Sequence, residues 1–131
     1  MEKFLTTAVA VHSLAAVPWW IAIIADPSFR RWFLPAVVPD GALLAFAVPD
    51  VVLFSGAGLA AAYGLRNHRG WACDVLLLHT GAACYAALYT WQQAIQANQA
   101  WPAAVAMLPS LILLPYASWW FRTRQRLPVK T

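Results

Sequence analysis

The sequence predicts an all-α polytopic membrane protein, a four-transmembrane-helix bundle of up-down-up-down topology. Three observations predict it. Of the 131 residues, 62% are hydrophobic and only 11% are charged, where a soluble domain carries about 25% charged residues, and the mean hydropathy is +0.59. Four apolar segments, near residues 4–25, 41–65, 71–91 and 101–121, each reach the roughly 20 helical residues that cross a hydrocarbon core. All eight Trp residues fall near a segment end or in a loop, which is the aromatic belt of a membrane protein. The segments occupy most of the chain, so residues 1–131 read as one transmembrane domain with no room for a separate soluble module.

Segment one begins behind a weakly positive Met-Glu-Lys and holds His12 and Pro18. Its apolar run is longer than a signal-peptide core, and Trp19 and Trp20 stand where small residues would mark cleavage. It therefore reads as a retained helix. The connection that follows, 26–40, contains Phe29, Trp32, Phe33 and Leu34 and is expected in the outer interface.

Segment two opens beside Asp40-Gly41, with Asp40 expected as its outer edge and cap. Ten residues on, a second Pro-Asp pair, Pro49-Asp50, interrupts an otherwise apolar run. Pro49 either kinks a long helix or opens a shorter one over Val51–Arg66, which would leave Asp50 as an N-cap near the interface. Gly56, Ala60 and Gly64 recur every four residues, a small-residue stripe suited to close helix contact and to homo-oligomerisation.

Segment three carries both cysteines, Cys73 and Cys84, with Asp74, His79, Tyr85 and Tyr89. Eleven helical residues separate the cysteines by about 16 Å, too far for a disulfide, and they read as small buried apolar residues. Ala72, Ala82, Ala83 and Ala86 form a second small-residue face. The amide-rich QQAIQANQA after Trp91 reads as helix three continuing into the headgroups, or as a polar mouth to a cavity. Segment four starts at Trp101-Pro102, where a missing N–H in the first turn costs nothing. It holds Pro109 and Pro115, which with Pro18 and Pro49 should kink or loosen their helices.

Lys and Arg orient the bundle. With four crossings, one side holds Lys3, Arg66, Arg69, Arg122, Arg124, Arg126 and Lys130, and the other holds only Arg30 and Arg31. The positive-inside rule then puts both termini in the cytoplasm, in a cell inner membrane. The net charge of +4 and the basic tail fit attraction to anionic lipid headgroups and do not require nucleic acid.

Few ionisable side chains remain within the segments: His12, Asp50 and His79, with Asp74 a turn from the cytoplasmic edge. Such residues are costly in a bilayer, about 2.5–3.5 kcal/mol for Asp or Lys on insertion scales, and they usually mark function. Counting about 1.5 Å per residue from the segment ends places His12, Asp50 and His79 in one layer near the midplane. The leading reading is a small membrane enzyme or binding protein for a hydrophobic, isoprenoid- or lipid-like molecule. His12, Asp50 and His79 would supply acid/base chemistry for isomerisation, cyclisation or epoxide opening. Phe54, Tyr85, Tyr89, Trp91 and Tyr116 would line the substrate cavity. No nucleophile motif, phosphate loop or metal signature is present, and Ser13 and Ser55 lack the flanks of a nucleophile elbow. One rival is a small transporter, channel or complex subunit, whose polar layer relays protons or only holds helices together. Another makes His12 and His79 the axial ligands of a b-type haem, which requires two imidazoles at matched depth on opposed helices.

Overall fold

The computed structural model describes residues 1–125. Arg126 and Lys130, part of the basic tail used for orientation, lie outside the described residues.

Four helices are long and apolar enough to cross a membrane. They are α1 (Glu2–Ala25), α3 (Asp40–Arg66), α4 (Ala72–Ala97) and α5 (Trp101–Arg124), with a single turn, α2 (Pro27–Arg30), after the first. The expected segments are all present. Helix α4 runs six residues past Trp91 into the amide-rich run, as one reading of that run expects, because Gln and Ala are good helix formers. Helix α3 packs against both α1 and α4, α4 also packs against α5, and α1 closes the ring more loosely onto α5. Helices α1 and α3 therefore flank one another, and α1 and α4 stand across the bundle diagonal.

The core is a column of Leu5, Val9, Phe54, Ala61, Leu65, Leu76, Ala83, Leu114 and Phe121. Large side chains such as Phe4, Val11, Ile24, Leu88 and Ile112 point outward, where the solvent is acyl chain rather than water. Small and hydroxyl residues hold the helices together. Thr80 Oγ1 lies 2.7 Å from Ser118 Oγ, and Cys84 Sγ donates to the Ser110 carbonyl at 3.3 Å. Both cysteines are free thiols.

Of the four internal prolines, Pro18 and Pro115 sit within continuous α-helix. The helical pattern changes near the other two. Helix α5 breaks at Met107, two residues before Pro109, and α3 becomes π-helical over Asp50–Gly56, directly after Pro49. The expected contact stripe is realised only in part. Gly56 is exposed and Ala60 only partly covered, while Gly64 is buried against Ala72 and Trp71, and Gly58, Ala61, Ala62 and Leu65 are buried as well. Gly58 and Gly64 are the glycines of close approach: a Cβ at Gly58 would strike Ser13 Oγ and lie 2.8 Å from His79 Cε1, and one at Gly64 would lie 2.8 Å from Ala72 Cβ.

The connections are tied by specific polar contacts. Asp26 caps α2, accepting from the Ser28 amide at 2.8 Å and its hydroxyl at 2.7 Å. Those bonds, the side-chain one foremost, hold the Asp26 carboxyl below its usual range. Pro27 has no N–H to give the Ile23 carbonyl, and the Ser28 N–H is turned to Asp26. Arg30 fills both gaps, donating to Ile23 O at 2.7 Å and Ile24 O at 3.0 Å, and it also pairs with Asp40 at 2.9 Å. Asp40 is thus the first residue of α3, as its position suggested, but its carboxylate binds Arg30 instead of capping the helix. At the opposite end, α3 finishes in a Schellman turn. The Arg69 amide reaches Gly64 O at 2.8 Å and the His68 amide reaches Leu65 O at 3.2 Å. His68 takes the left-handed position (φ 51°) that glycine usually fills.

Candidate functional site

The site begins with a missing hydrogen atom. Pro49 cannot donate to the carbonyl one turn before it, and the chain around it tightens, with the Phe46 amide on Leu43 O at 3.0 Å. From Asp50 the helix widens. By the end of the wide stretch the Ala57 amide bonds Val52 O, five residues back. In an α-helix Ala57 would take the carbonyl of Leu53. Here that carbonyl accepts instead from His79 Nδ1 on α4, at 3.3 Å. The carbonyl can only accept, so Nδ1 carries the proton.

Around this exchange lies a compact cluster. The ring of Phe54 stands 4.7 Å from that of His12 and 5.4 Å from that of His79, centre to centre, and the two imidazoles are 5.9 Å apart at an interplanar angle of 67°. His79 is fully buried. Its Nε2 faces Ser13 Oγ at 3.5 Å, while the Ser13 hydroxyl donates to Val9 O at 2.8 Å. His12 Nε2 lies 3.1 Å from Ser110 Oγ on α5, and its Nδ1 is buried without a partner. Hydrogen accounting for His79 leaves a gap. With Nδ1–H given to Leu53 and the serine proton given to Val9, no hydrogen remains between Nε2 and Ser13 Oγ.

Asp50 occupies a second tier, four residues from Phe54 toward the α1–α3 connection. Its backbone is helical (φ −70°, ψ −39°), which is not the extended conformation of an N-cap. Its carboxylate accepts from the Trp20 indole N–H at 3.2 Å. The alternative in which Pro49 opens a short helix capped by Asp50 is thereby overturned, since Asp50 carries the helical turn Ala47–Pro49 on into the π-helical stretch. Trp20 is eight residues beyond His12 on α1, about 12 Å along the axis. Asp50 therefore bonds above the imidazole pair and hydrogen-bonds neither histidine.

Asp50 borders a cleft of about 120 Å³ at the end of the bundle that carries the α1–α3 connection. Trp19 and Trp20 from α1, Phe33 from the first connection, Phe46 from α3 and Tyr89 from α4 supply aromatic walls, with Met107 and Ala103 from α5. Gln93, from the amide-rich run, also lines it, so that run both prolongs α4 and borders a cavity.

The expected substrate-lining residues are dispersed. Tyr89 lines the cleft, 5.6 Å from Phe46 ring to ring. Phe54 is buried in the imidazole tier, and Trp91 stacks edge-on against Trp101 at 6.1 Å with its indole N–H unpartnered. Tyr85 is exposed on the outer surface of α4, and Tyr116 borders a groove with Phe4 and Ile112. Residues that sequence reasoning passed over are Trp20, Ser13, Gly58 and Ser110. Trp20 was absorbed into the aromatic belt. Ser13 and Ser110 are one-residue signals with no pattern, and only Gly58, at the depth of the histidines, offered a hint.

Haem does not fit this arrangement. An axial imidazole must turn a free nitrogen to the iron, whereas both His79 nitrogens face protein oxygens and Phe54 packs against both rings. Among the described residues no three His, Cys, Asp or Glu side chains converge as a metal site. Comparison with protein-family models, curated proteins and solved structures gave no match.

Proposed function

We propose that the protein takes a hydrophobic small molecule from the bilayer into the outer cleft, where Asp50 is the reactive or recognising group. The observation that carries this reading is the cleft itself: an aromatic and aliphatic hollow with one carboxylate, in a segment where a carboxylate is costly. As an enzyme, Asp50 would act as acid, base or cation stabiliser on an isoprenoid- or lipid-like chain, through isomerisation, cyclisation or epoxide opening. The excess of Lys3, Arg66, Arg69, Arg122 and Arg124 on one side supports an inner-membrane placement with both termini cytoplasmic and the cleft facing outward.

The test is a comparison of what the purified protein retains. Wild type, Asp50→Asn and the cleft-filling Ala103→Phe, each isolated in native lipid particles, are extracted and analysed by mass spectrometry. A compound held by wild type and depleted at least about tenfold in both variants is expected, the worth of one charged hydrogen bond. Identical profiles in all three would sink the proposal.

The hydrogen gap between His79 and Ser13 favours a second reading, a transporter with a proton-loading imidazole pair. One added proton would complete that network. The reading stands on whether His79 takes up a proton in the membrane, which nitrogen-15 spectra of the imidazole report directly.

A further inference from the structure

We infer that the cleft receives the positively charged head of an amphiphile, a protonated amine or quaternary ammonium group, while its chain stays in the bilayer. This rests on the proposed binding role of the Asp50 cleft and narrows it to one ligand class.

Charge comes first. A carboxylate offers about four acceptor positions, and Asp50 has one donor, the Trp20 indole at 3.2 Å. The ion pairs among the described residues lie elsewhere, Arg30 with Asp40 and His68 with Glu2. No lysine, arginine or histidine side chain lines the cleft. An ionised Asp50, half-buried at the cleft wall, therefore has no counter-charge of its own, and withdrawing a charge from water without one is costly. A cationic ligand would supply it.

The walls agree with that sign. Trp19, Trp20, Phe33, Phe46 and Tyr89 line the hollow, and aromatic faces attract cations and disfavour anions. Size then decides how much of the ligand enters. A site for a whole drug-sized molecule occupies roughly 300–1,000 Å³. The cleft, at about 120 Å³, lies well below that range. It takes a head, not a body. Its position beside the Trp19–Trp20 end of α1 and the first connection puts that head at the outer interface, with acyl chain within reach below.

The experiment uses the full chain in nonionic dodecyl maltoside micelles, with binding measured against protein-free micelles. The probes are dodecyltrimethylammonium, the neutral 1-dodecanol of equal chain length, and chainless tetramethylammonium. Wild type should bind the cationic amphiphile about 10- to 100-fold tighter than the alcohol and tighter than tetramethylammonium. Asp50→Asn should erase the preference over the alcohol while both chains still bind. Should Asp50→Asn not fold, Trp19→Leu serves, weakening the cation several-fold and leaving the alcohol unchanged. Equal affinity of wild type for cation and alcohol overturns the cationic ligand but leaves a hydrophobic site. Tetramethylammonium binding as tightly as the amphiphile overturns the bilayer-resident chain. Binding of none of the three overturns both this inference and the binding role beneath it.

Discussion

The imidazole tier depends on one absent side chain. Gly58 lets α3 approach α1 and α4 closely enough for Ser13 and His79 to meet beneath Phe54, and any Cβ there collides with both. Gly58→Ala should therefore destabilise the protein by about 1–3 kcal/mol, the usual penalty of overpacking, visible as an earlier thermal transition in detergent. Ser13→Ala removes the hydroxyl struck by the new methyl, so the double variant should recover part of the loss, and the non-additivity measures the contact. Strictly additive losses would show that the two residues do not meet. At this scale the sequence was only half legible. Rise per residue brought His12 and His79 to one depth, and the structure joins them. The same counting put Asp50 beside them, and there it missed, because it took α3 as a regular helix from Gly41 and had no means of foreseeing that an indole on α1 would draw the carboxylate outward.

Among the elements, the π-helical stretch of α3 links Pro49 to His79. The proline withholds an amide hydrogen, the following turns widen, and the Leu53 carbonyl becomes available to an imidazole on another helix. Pro49→Ala restores the amide and favours regular α-helix. The expected result is that Ala57 reclaims the Leu53 carbonyl and His79 Nδ1 loses its acceptor. The nitrogen-15 signals of His79 should shift, while helix content by circular dichroism stays nearly constant. Unchanged His79 signals would show that the wide stretch does not depend on the proline. Hydropathy and Trp placement made the four helices legible because both report only where the chain meets lipid and interface. Neither is sensitive to whether a turn closes at four residues or five. The small-residue stripe was legible only in part: Gly64 is a buried contact residue, whereas Gly56, the last residue of the π stretch, is exposed.

For the whole molecule, the end of the bundle with the α1–α3 connection is where connection, cleft and long helices meet. The stretch 31–39 supplies Phe33, Leu34, Pro35 and Val38 to the cleft wall, and it is held at two points. Arg30 fastens it to the last carbonyls of α1 and to Asp40 at the head of α3, and the Ala36 amide bonds the Gln99 side chain beyond α4 at 2.8 Å. None of these contacts reaches the bundle core, whose packed column runs from Leu5 to Phe121 on the helices themselves. Arg30→Ala should consequently uncouple the two. Ile23 and Ile24 lose their donors and Asp40 its partner, a loss of about 1–3 kcal/mol confined to the outer connection. Hydrogen exchange should quicken across residues 26–40, and any ligand held in the cleft should dissociate faster with little change in association. The amides of α4 between Cys73 and Ala87 should keep their protection. If exchange quickens equally in α4, the connection belongs to the cooperative core and not to a separately tethered wall of the cleft. Arg30→Lys tests the geometry of the tie: an ammonium can meet Asp40, but it cannot span two carbonyls and a carboxylate in one plane as a guanidinium does, so it should restore only part of the protection.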